Sequence, residues 1–257
     1  TIVSKLNAAN QVSLHMGSLA SIEGRAVMSS LLSGSLEGAD YLIKIGDGFV
    51  QVANDSWTFS NVAWAATEAL DIPTLNLQNG AVLSHEVASL DGIDITATTI
   101  TIDASSSIDV TGKGSTGQVL VGGYAGGSHG GKGGNGGYGN TVGASNETYG
   151  DYLTPVTLGT GGRCWDSARN EYGGGAIKLS ASSLNLAGNL ISNGQAPYRC
   201  GGAAGGSIWL TVGTLYGSGS ISANGHAGER DGLSSSYHKL GGGGGGGGGV
   251  VFAVLSG

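Results

Sequence analysis

The sequence is poor in charged and aromatic residues, and it lacks any long apolar run. Charged residues make up 11 % and aromatic residues 6 % of the 257 residues, and the formal net charge is −7. The 11 Lys and Arg residues are scattered singly, so no basic stripe exists that would follow a phosphate backbone. The longest apolar run, VVFAVL at 250–255, is much too short to span a bilayer. We therefore expect neither a nucleic-acid partner nor a membrane span.

Cysteine is scarce as well, and its two copies lie in loop-like settings. Cys164 stands in GGRCWD and Cys200 in PYRCGG, with no CxxC pair or nearby His that would give zinc spacing. Because each cysteine precedes a matching strand segment, we expect a disulfide between them; two buried free thiols are the alternative. A disulfide implies an exporting compartment, hence an extracellular or cell-surface protein. The chain begins at Thr1 rather than Met, which suggests a processed product or an excerpt of a longer protein.

What the sequence has in excess is glycine. It contains 52 glycines, nine of them consecutive at 241–249, yet apolar residues still reach 39 %. A disordered chain combines low hydrophobicity with high charge, so this composition indicates a folded protein. The length suits one all-β domain with a sizeable core.

Three segments of the chain repeat one pattern. They are IDITATTITIDASSSIDVTGKG from Ile93, IKLSASSLNLAGNLISNGQ from Ile177 and IWLTVGTLYGSGSISANGHAG from Ile208. Each places an apolar residue at every second position, then a small or polar corner, then a second alternating run, which is typical of β-strands with one buried face. One such unit cannot bury its apolar face alone, so the units must stack on each other.

This stacking predicts an all-β fold of the parallel β-helix (β-solenoid) type. Ile93, Ile177 and Ile208 would form one inward ladder, with Leu179 and Leu210 beside Ile95. We assign residues 91–257 to the glycine-rich solenoid and residues 1–90 to N-terminal β-rich coils or a cap, in one continuous domain. The N-terminal part is less regular.

Two kinds of segment stand out in that N-terminal part. YLIKIGDGFVQV and TLNLQNGAVLSHEV predict strands joined by Asp47-Gly48 and Asn79-Gly80 turns, of the kind found in hairpins or tight corners. SIEGRAVMSSLL and NVAWAATEAL fit either a short helix or a strand edge.

Glycine-rich insertions separate the repeats. Residues 115–175, 195–206 and 226–249 would project from the same corner of successive coils and form one decorated face. In GGKGGNGGYG two of every three residues are glycine, the third being Lys132, Asn135 or Tyr138. A three-residue period is that of an extended polyproline-II-type helix, here polyglycine-II-like, whose backbone groups need partners in neighbouring backbone or water. We expect these strips to pack side by side or against the solenoid; for the nine-glycine tract a flexible linker is the alternative.

The repeats also carry a resemblance. GGGAIKLSASSLNLAGNLISNGQ and GGAAGGSIWLTVGTLYGSGSISANGHAG, followed by the glycine run and VVFAVL, resemble glycine-rich repeats of large bacterial surface and secreted proteins of adhesin type. The resemblance covers roughly residues 92–257 and implies an architecture rather than an activity. Parallel β-helix folds also include polysaccharide lyases and hydrolases, so fold leaves function open.

Residues for catalysis or metal binding are dispersed. A polysaccharide-cleaving enzyme needs clustered carboxylates, and the densest group here is Asp91, Asp94, Asp103 and Asp109. Asp94 and Asp103 could share a face as a candidate pair; the alternative, which we favour, is that they are ordinary solvent-side residues of strands. Among the histidines, His129, His226 and His238 fall in glycine-rich loops, where we expect surface roles. No calcium-loop motif is present, so we expect no cofactor, although structural calcium stays possible.

The loop TGGRCWDSARNEYGGG and the following PYRCGG form the most informative local feature. If Cys164 and Cys200 are joined, the loop brings aromatic, charged and amide-bearing side chains together. Aromatic faces stack on sugar rings while polar groups bind hydroxyls. The alternative is that these residues cover the solenoid corner and pair locally. The candidate carbohydrate-binding residues are Arg163, Trp165, Asp166, Tyr172, Tyr198 and Arg199.

Two classes of function follow from these features. The first is a non-catalytic extracellular structural or adhesive module, which assembles head to tail into a filament, binds carbohydrate, or does both. Its partners would be other copies of itself or neighbouring domains of a larger surface protein, and carbohydrate. The alternative is a polysaccharide lyase or glycoside hydrolase of the parallel β-helix class.

Overall fold

The computed structural model of this chain describes residues 5–6, 11–14, 41–45, 47–53, 55–117, 124–138, 141–164, 171–198, 200–228 and 249–254. Within these residues the chain forms strands and no helix. This confirms the all-β prediction.

The larger sheet has ten strands. Its first members pair in mixed directions, and from β5 onward every pairing is parallel. In the order of the sheet, the strands are β1 (Lys5–Leu6), β2 (Gln11–Leu14), β3 (Tyr41–Ile45), β4 (Gly48–Ala53), β5 (Ser56–Ser60), β7 (Leu70–Gln78), β9 (Ile93–Ile102), β13 (Ala176–Leu186), β15 (Ser207–Tyr216) and β17 (Gly249–Val254).

The smaller sheet has five parallel strands, which alternate along the chain with those of the larger sheet. From β5 to β16, each long-sheet strand is followed by a short-sheet strand, apart from a separate hairpin of β11 (Gly136–Tyr138) and β12 (Thr141–Gly143). The short strands are β6 (Ala63–Ala66), β8 (Val82–His85), β10 (Ser107–Asp109), β14 (Asn189–Ile191) and β16 (Ser220–Ser222).

The predicted isoleucine ladder is present in the larger sheet. Ile177 is in register with Ile93 on one side and with Ile208 on the other. Leu179 is likewise in register with both Ile95 and Leu210. All six side chains are buried, which confirms the predicted register and the inward face of each repeat.

A second apolar ladder runs through the smaller sheet. Trp64, Leu83, Ile108 and Leu190 follow one another in register across β6, β8, β10 and β14. Their side chains join those of the larger sheet in one buried cluster. Burial of apolar area is the main favourable term in folding, so these ladders hold the two sheets together.

The long strands change the phase of their alternation part-way. In β9 the inward residues are Ile93, Ile95 and Ala97, then Ile100 and Ile102, so two successive residues face outward between Ala97 and Ile100. The strand register of β9 with its neighbours is interrupted at the same place. A simple every-second-residue pattern would have placed residue 99 inside, and the shift instead turns Ile100 and Ile102 to the buried face.

The two N-terminal turns are of the predicted kinds, one a hairpin and the other a tight corner. Asp47-Gly48 joins β3 to β4 in an antiparallel hairpin. Asn79-Gly80 instead forms a tight corner between β7 and β8, which belong to different sheets, and both residues have positive φ. Within NVAWAATEAL the structure has strand β6 and no helix; SIEGRAVMSSLL lies outside the described residues.

The glycine-rich segments all occur at one step of the repeat. They connect β10 to β13, β14 to β15 and β16 to β17, each leading from the smaller sheet to the next strand of the larger one. The insertions therefore leave the sheets at equivalent places, as the sequence predicts. Residues 229–248 of the third insertion, with most of the nine-glycine tract, lie outside the described residues.

Candidate functional site

Backbone hydrogen bonds join the glycine-rich segments to one another. We call residues 114–117, 124–137, 157–164, 171–175, 192–195, 200–206 and 223–226 the glycine layer. Within it Gly159 N–H donates to the Gly174 carbonyl (2.9 Å), and Gly174 N–H donates to the Ala204 carbonyl (2.9 Å). Gly175 N–H donates to the Val110 carbonyl (2.9 Å), which connects the layer to the end of β10. The described part of the layer is therefore bonded together rather than looped out.

The strip at 159–163 is hydrogen-bonded to four neighbouring strips. Two of its amides donate to the strips at 114–117 and 124–127: Gly161 N–H to Ser115 (2.8 Å) and Arg163 N–H to Ala125 (2.8 Å). Gly159 N–H donates to the strip at 171–175, and the Thr160 carbonyl accepts from Ala204 N–H (2.8 Å) in the strip at 200–206. These bonds therefore reach four different strips. A β-strand has only two hydrogen-bonded neighbours, so this strip is packed in a different way.

The glycines of the layer have no room for a side chain. A Cβ placed on Gly161 would lie closer than 3.0 Å to the Glu171 carbonyl oxygen, and one on Gly162 would lie equally close to that of Gly201. The same holds for Gly159 against Gly205. Glycine is required at these positions because neighbouring backbone approaches closely. The high glycine content of the layer is therefore explained by packing rather than by flexibility.

The three-residue period separates buried from exposed positions over residues 132–137. Lys132 and Asn135 are exposed, whereas Gly133 and Gly136 are buried. The Lys132 ammonium contacts the Glu147 carboxylate at 2.6 Å on the outside. The described part of this strip therefore carries its side chains on one face, as the sequence predicts.

A disulfide joins Cys164 to Cys200 inside the glycine layer, as predicted. Both cysteines are buried, and Gly201 N–H donates to the Arg163 carbonyl (2.9 Å) beside them. Glu171 is also buried there and accepts a hydrogen bond from Tyr198 N–H (2.9 Å). The disulfide thus fixes two strips of the layer against each other.

Half of the predicted carbohydrate cluster lies within the described residues. The Arg163 guanidinium donates to the Asn146 side-chain oxygen (2.8 Å). Tyr172 is half-buried, and Tyr198 is 53 % exposed. Trp165, Asp166 and Arg199 lie outside the described residues. The hydrogen bond between Tyr198 N–H and Glu171 brings Tyr198 to the disulfide, and the set as a whole stays a prediction.

The acidic residues singled out from the sequence have separate partners. Asp94 pairs with Lys178 (2.9 Å), whose ammonium also lies 5.6 Å from the Trp209 ring centroid. Asp103 accepts hydrogen bonds from Asn79 N–H (2.7 Å) and Ser105 N–H (2.9 Å). Burial would raise the pKa of Asp103, but these hydrogen bonds, with those of side chains at Ser105 and Ser106, hold that pKa below its ordinary value.

Only one group of possible metal ligands is close together in the described part of the chain. It consists of Cys164, Glu171 and Cys200, whose ligand atoms lie within 4.8 Å of one another. Two of the three are joined in the disulfide and have no thiolate to offer.

His85 is an internal hydrogen-bonding residue. Its Nδ1 donates to the Glu86 carbonyl (2.7 Å), and its Nε2 accepts from Ala176 N–H (3.2 Å). Burial lowers the pKa of His85, although the Glu86 carbonyl partly opposes this. A neutral ring is the form that fits, because a protonated Nε2 has no lone pair with which to accept.

His129 corrects one prediction. The sequence suggested a surface role, whereas this side chain is only 2 % exposed. Its Nε2 is 2.8 Å from the Thr157 hydroxyl, and its ring lies 5.1 Å from that of Tyr149. Burial lowers the pKa of His129. The reason for the difference is that residues 149–157, distant in sequence, fold over it. His226 is exposed as expected, and His238 lies outside the described residues.

A cavity that the sequence reading missed opens beside His129. Its volume is about 360 Å³. Tyr149 and Tyr152 form its aromatic walls, and Tyr152 is 80 % exposed. The only signal in the sequence is TYGDYLTP at 148–155, in which two tyrosines and an aspartate interrupt the glycine-rich chain.

Comparisons of the chain with protein-family models, with curated proteins and with solved structures found no match. None of the described residues forms a helix long and apolar enough to cross a membrane. The function is therefore argued from the geometry of the residues.

Proposed function

We propose that this chain is a non-catalytic structural or adhesive module of an extracellular protein, built as a β-solenoid with a polyglycine-II-like outer layer. The observation that carries the proposal is the backbone bonding that runs from the sheets into the glycine layer. These hydrogen bonds hold the glycine-rich segments in place, and the segments offer few reactive side chains.

The alternation of the two sheets supports the solenoid. Each pair of one long and one short strand serves as a coil, and the coils stack in parallel register through Ile93, Ile177 and Ile208. Stacked units of this kind are stabilised by contacts with their nearest neighbours, which gives an elongated and stiff structure.

The bonding directions of the strip at 159–163 support the polyglycine-II-like layer. Gly159, Gly161 and Arg163 donate to three different strips, and Thr160 accepts from a fourth. Successive bonds that point around the axis fit a chain with three residues per turn, whereas a pleated strand directs them to two sides.

The disulfide supports an extracellular location. A bond between Cys164 and Cys200 persists in oxidising compartments and is rare in the cytosol. The resemblance of the repeats to adhesin-type surface proteins favours the same location. The carbohydrate cluster around the disulfide belongs to this proposal as a candidate contact surface.

The edge of the larger sheet supports assembly between copies. Among the described strands, β17 pairs with β15 alone. A strand with one unpaired side is a template for another strand, and a head-to-tail contact that does not close produces a filament. We therefore propose that β17 of one copy contacts the N-terminal strands of the next.

Sedimentation velocity over a wide concentration range tests this assembly. We expect the weight-average sedimentation coefficient to rise with concentration for the unaltered chain. The double variant Val251→Lys and Ala253→Lys changes two positions of β17 that are in register with the half-buried Trp209 and Thr211. Lysine on an edge strand opposes pairing, so this variant should stay monomeric.

A matched control carries the same added charge away from the edge. Thr96→Lys and Thr98→Lys lie at exposed positions of β9, in the middle of the sheet, and this variant should assemble like the unaltered chain. A chain that is monomeric at every concentration, or an edge variant that assembles as well as the control, contradicts the assembly.

A further inference from the structure

The cavity beside His129 has the composition of a sugar-binding site, and it is distinct from the cluster at the disulfide. We propose that it binds one uncharged hexopyranose residue of a glycan. This proposal concerns different residues from the assembly contact and holds whether or not copies associate. The lining residues are His129, Gly130, Thr148, Tyr149, Gly150, Asp151, Tyr152 and Pro155.

The size of the cavity selects a small ligand. Its volume of about 360 Å³ lies near the lower end of the range of roughly 300–1,000 Å³ found for ligand pockets. A single ring of a longer glycan fits such a volume, with the rest of the glycan outside. The cavity therefore suits recognition of one exposed ring rather than of a whole chain.

The aromatic walls provide the stacking surface. Tyr152 is 80 % exposed, and Tyr149 is 37 % exposed. Tyr152 is the most exposed of the described tyrosines, so its ring is available to a ligand. An aromatic face binds the C–H face of a pyranose, while polar groups at the rim accept hydrogen bonds from its hydroxyl groups.

The walls are held in place before any ligand arrives. The Tyr149 hydroxyl donates to the Leu158 carbonyl at 2.5 Å, and its ring lies against His129. The Asp151 carboxylate accepts from Leu153 N–H (2.7 Å) and Thr154 N–H (3.3 Å), which fixes the turn that carries Tyr152. A preformed site loses less conformational entropy on binding, so a modest contact area gives measurable affinity.

A glycine lets the chain close around the cavity. Gly150 has φ +96°, a conformation that L side chains rarely adopt, and a Cβ there would lie 2.9 Å from the Thr157 hydroxyl and 3.1 Å from His129 Nε2. Glycine at this position lets the backbone between the two lining tyrosines, Tyr149 and Tyr152, approach His129 and Thr157 closely.

The charge of the rim selects against acidic sugars. Asp151 is fully exposed, and hydrogen bonds from the backbone of Leu153 and Thr154 lower the pKa of its carboxyl group, so it is ionised at neutral pH. None of the described residues that line the cavity is Arg or Lys. The Asp151 carboxylate would repel a uronic acid or a phosphorylated sugar, whereas a neutral hexose would donate a hydrogen bond to it.

Saturation-transfer NMR with methyl hexopyranosides tests the proposal. The probes are methyl glucoside, methyl galactoside and methyl mannoside, and methyl glucuronide is the acidic comparison. We expect at least one neutral glycoside to bind and the glucuronide to bind more weakly. Tyr152→Ala should lower the affinity for the neutral glycoside by about threefold to tenfold, since it removes one stacking face.

Another exposed tyrosine provides a matched control. Tyr216, on β15, is 49 % exposed, and Tyr216→Ala should leave binding unchanged. Tyr198→Ala alters the cluster at the disulfide, so a loss of binding with this variant but not with Tyr152→Ala would assign the ligand to that cluster. Failure of all three neutral glycosides to bind overturns the proposal. So does a Tyr152→Ala variant that binds as well as the unaltered chain, a glucuronide that binds as tightly as the neutral probes, or a loss caused by Tyr198→Ala alone.

Discussion

Replacing Leu179 by alanine should lower the free energy of unfolding by about 2–5 kcal/mol, the range for deleting a fully buried leucine. Leu179 is 0 % exposed and is in register with Ile95 and Leu210. The substitution therefore leaves a cavity bounded by ordered strands on both sides, and the neighbouring strands cannot close it without breaking their hydrogen bonds. Urea titration followed by far-UV circular dichroism measures the change.

The control for this substitution lies on the same strand. Ser182 is exposed in β13, and Ser182→Ala should change stability by no more than about 0.5 kcal/mol. Equal effects of the two substitutions would mean that Leu179 is not part of a packed ladder. The stacked-repeat interpretation would then be wrong at its centre.

Replacing Gly162 by alanine should destabilise the protein by about 1–3 kcal/mol or more, the cost of forcing extra volume into a packed region. The new Cβ would lie closer than 3.0 Å to the Gly201 carbonyl oxygen. The neighbouring Gly201 N–H bond to Arg163 would have to move with it. Thermal unfolding and the same urea titration measure the loss.

Gly80→Ala separates crowding from backbone strain. Gly80 has φ +81°, but a Cβ there would have nothing within 4 Å. Its substitution should cost about 1 kcal/mol, from the left-handed conformation alone. Gly162 is not among the positive-φ glycines, so its cost arises from packing. A harmless Gly162→Ala substitution would indicate a loosely packed glycine layer.

The strand ladders were predictable because the sequence repeats them. Apolar residues at every second position, found in segments that start at Ile93, Ile177 and Ile208, specify both the buried face and the register. The phase shift between Ala97 and Ile100 was missed, because an every-second-residue pattern does not show where in a strand the alternation changes phase. The only sign of the shift in this segment is that two polar residues, Thr98 and Thr99, follow each other where the alternation would place an apolar one.

The candidate sites were harder to predict, for physical reasons. The disulfide was inferred because equivalent strands follow Cys164 and Cys200. Burial of His129 depends on Tyr149 and Thr157, which only the folded chain brings to it. The strips of the glycine layer are joined largely by backbone N–H and C=O groups, and these are the same in every residue. The sequence therefore indicates that such groups need partners, but it cannot say which ones.

Native-state amide hydrogen exchange tests the central claim most directly, namely that the glycine-rich segments form an ordered layer bonded through its backbone. The amides of Gly127, Gly159 and Gly174 each donate to a carbonyl in another strip. We predict that they are protected to within about tenfold of the β13 amides, because an opening of the layer requires several bonds to break together. Exchange of these glycine amides at the rate of an unstructured peptide, with β13 still protected, would contradict the account.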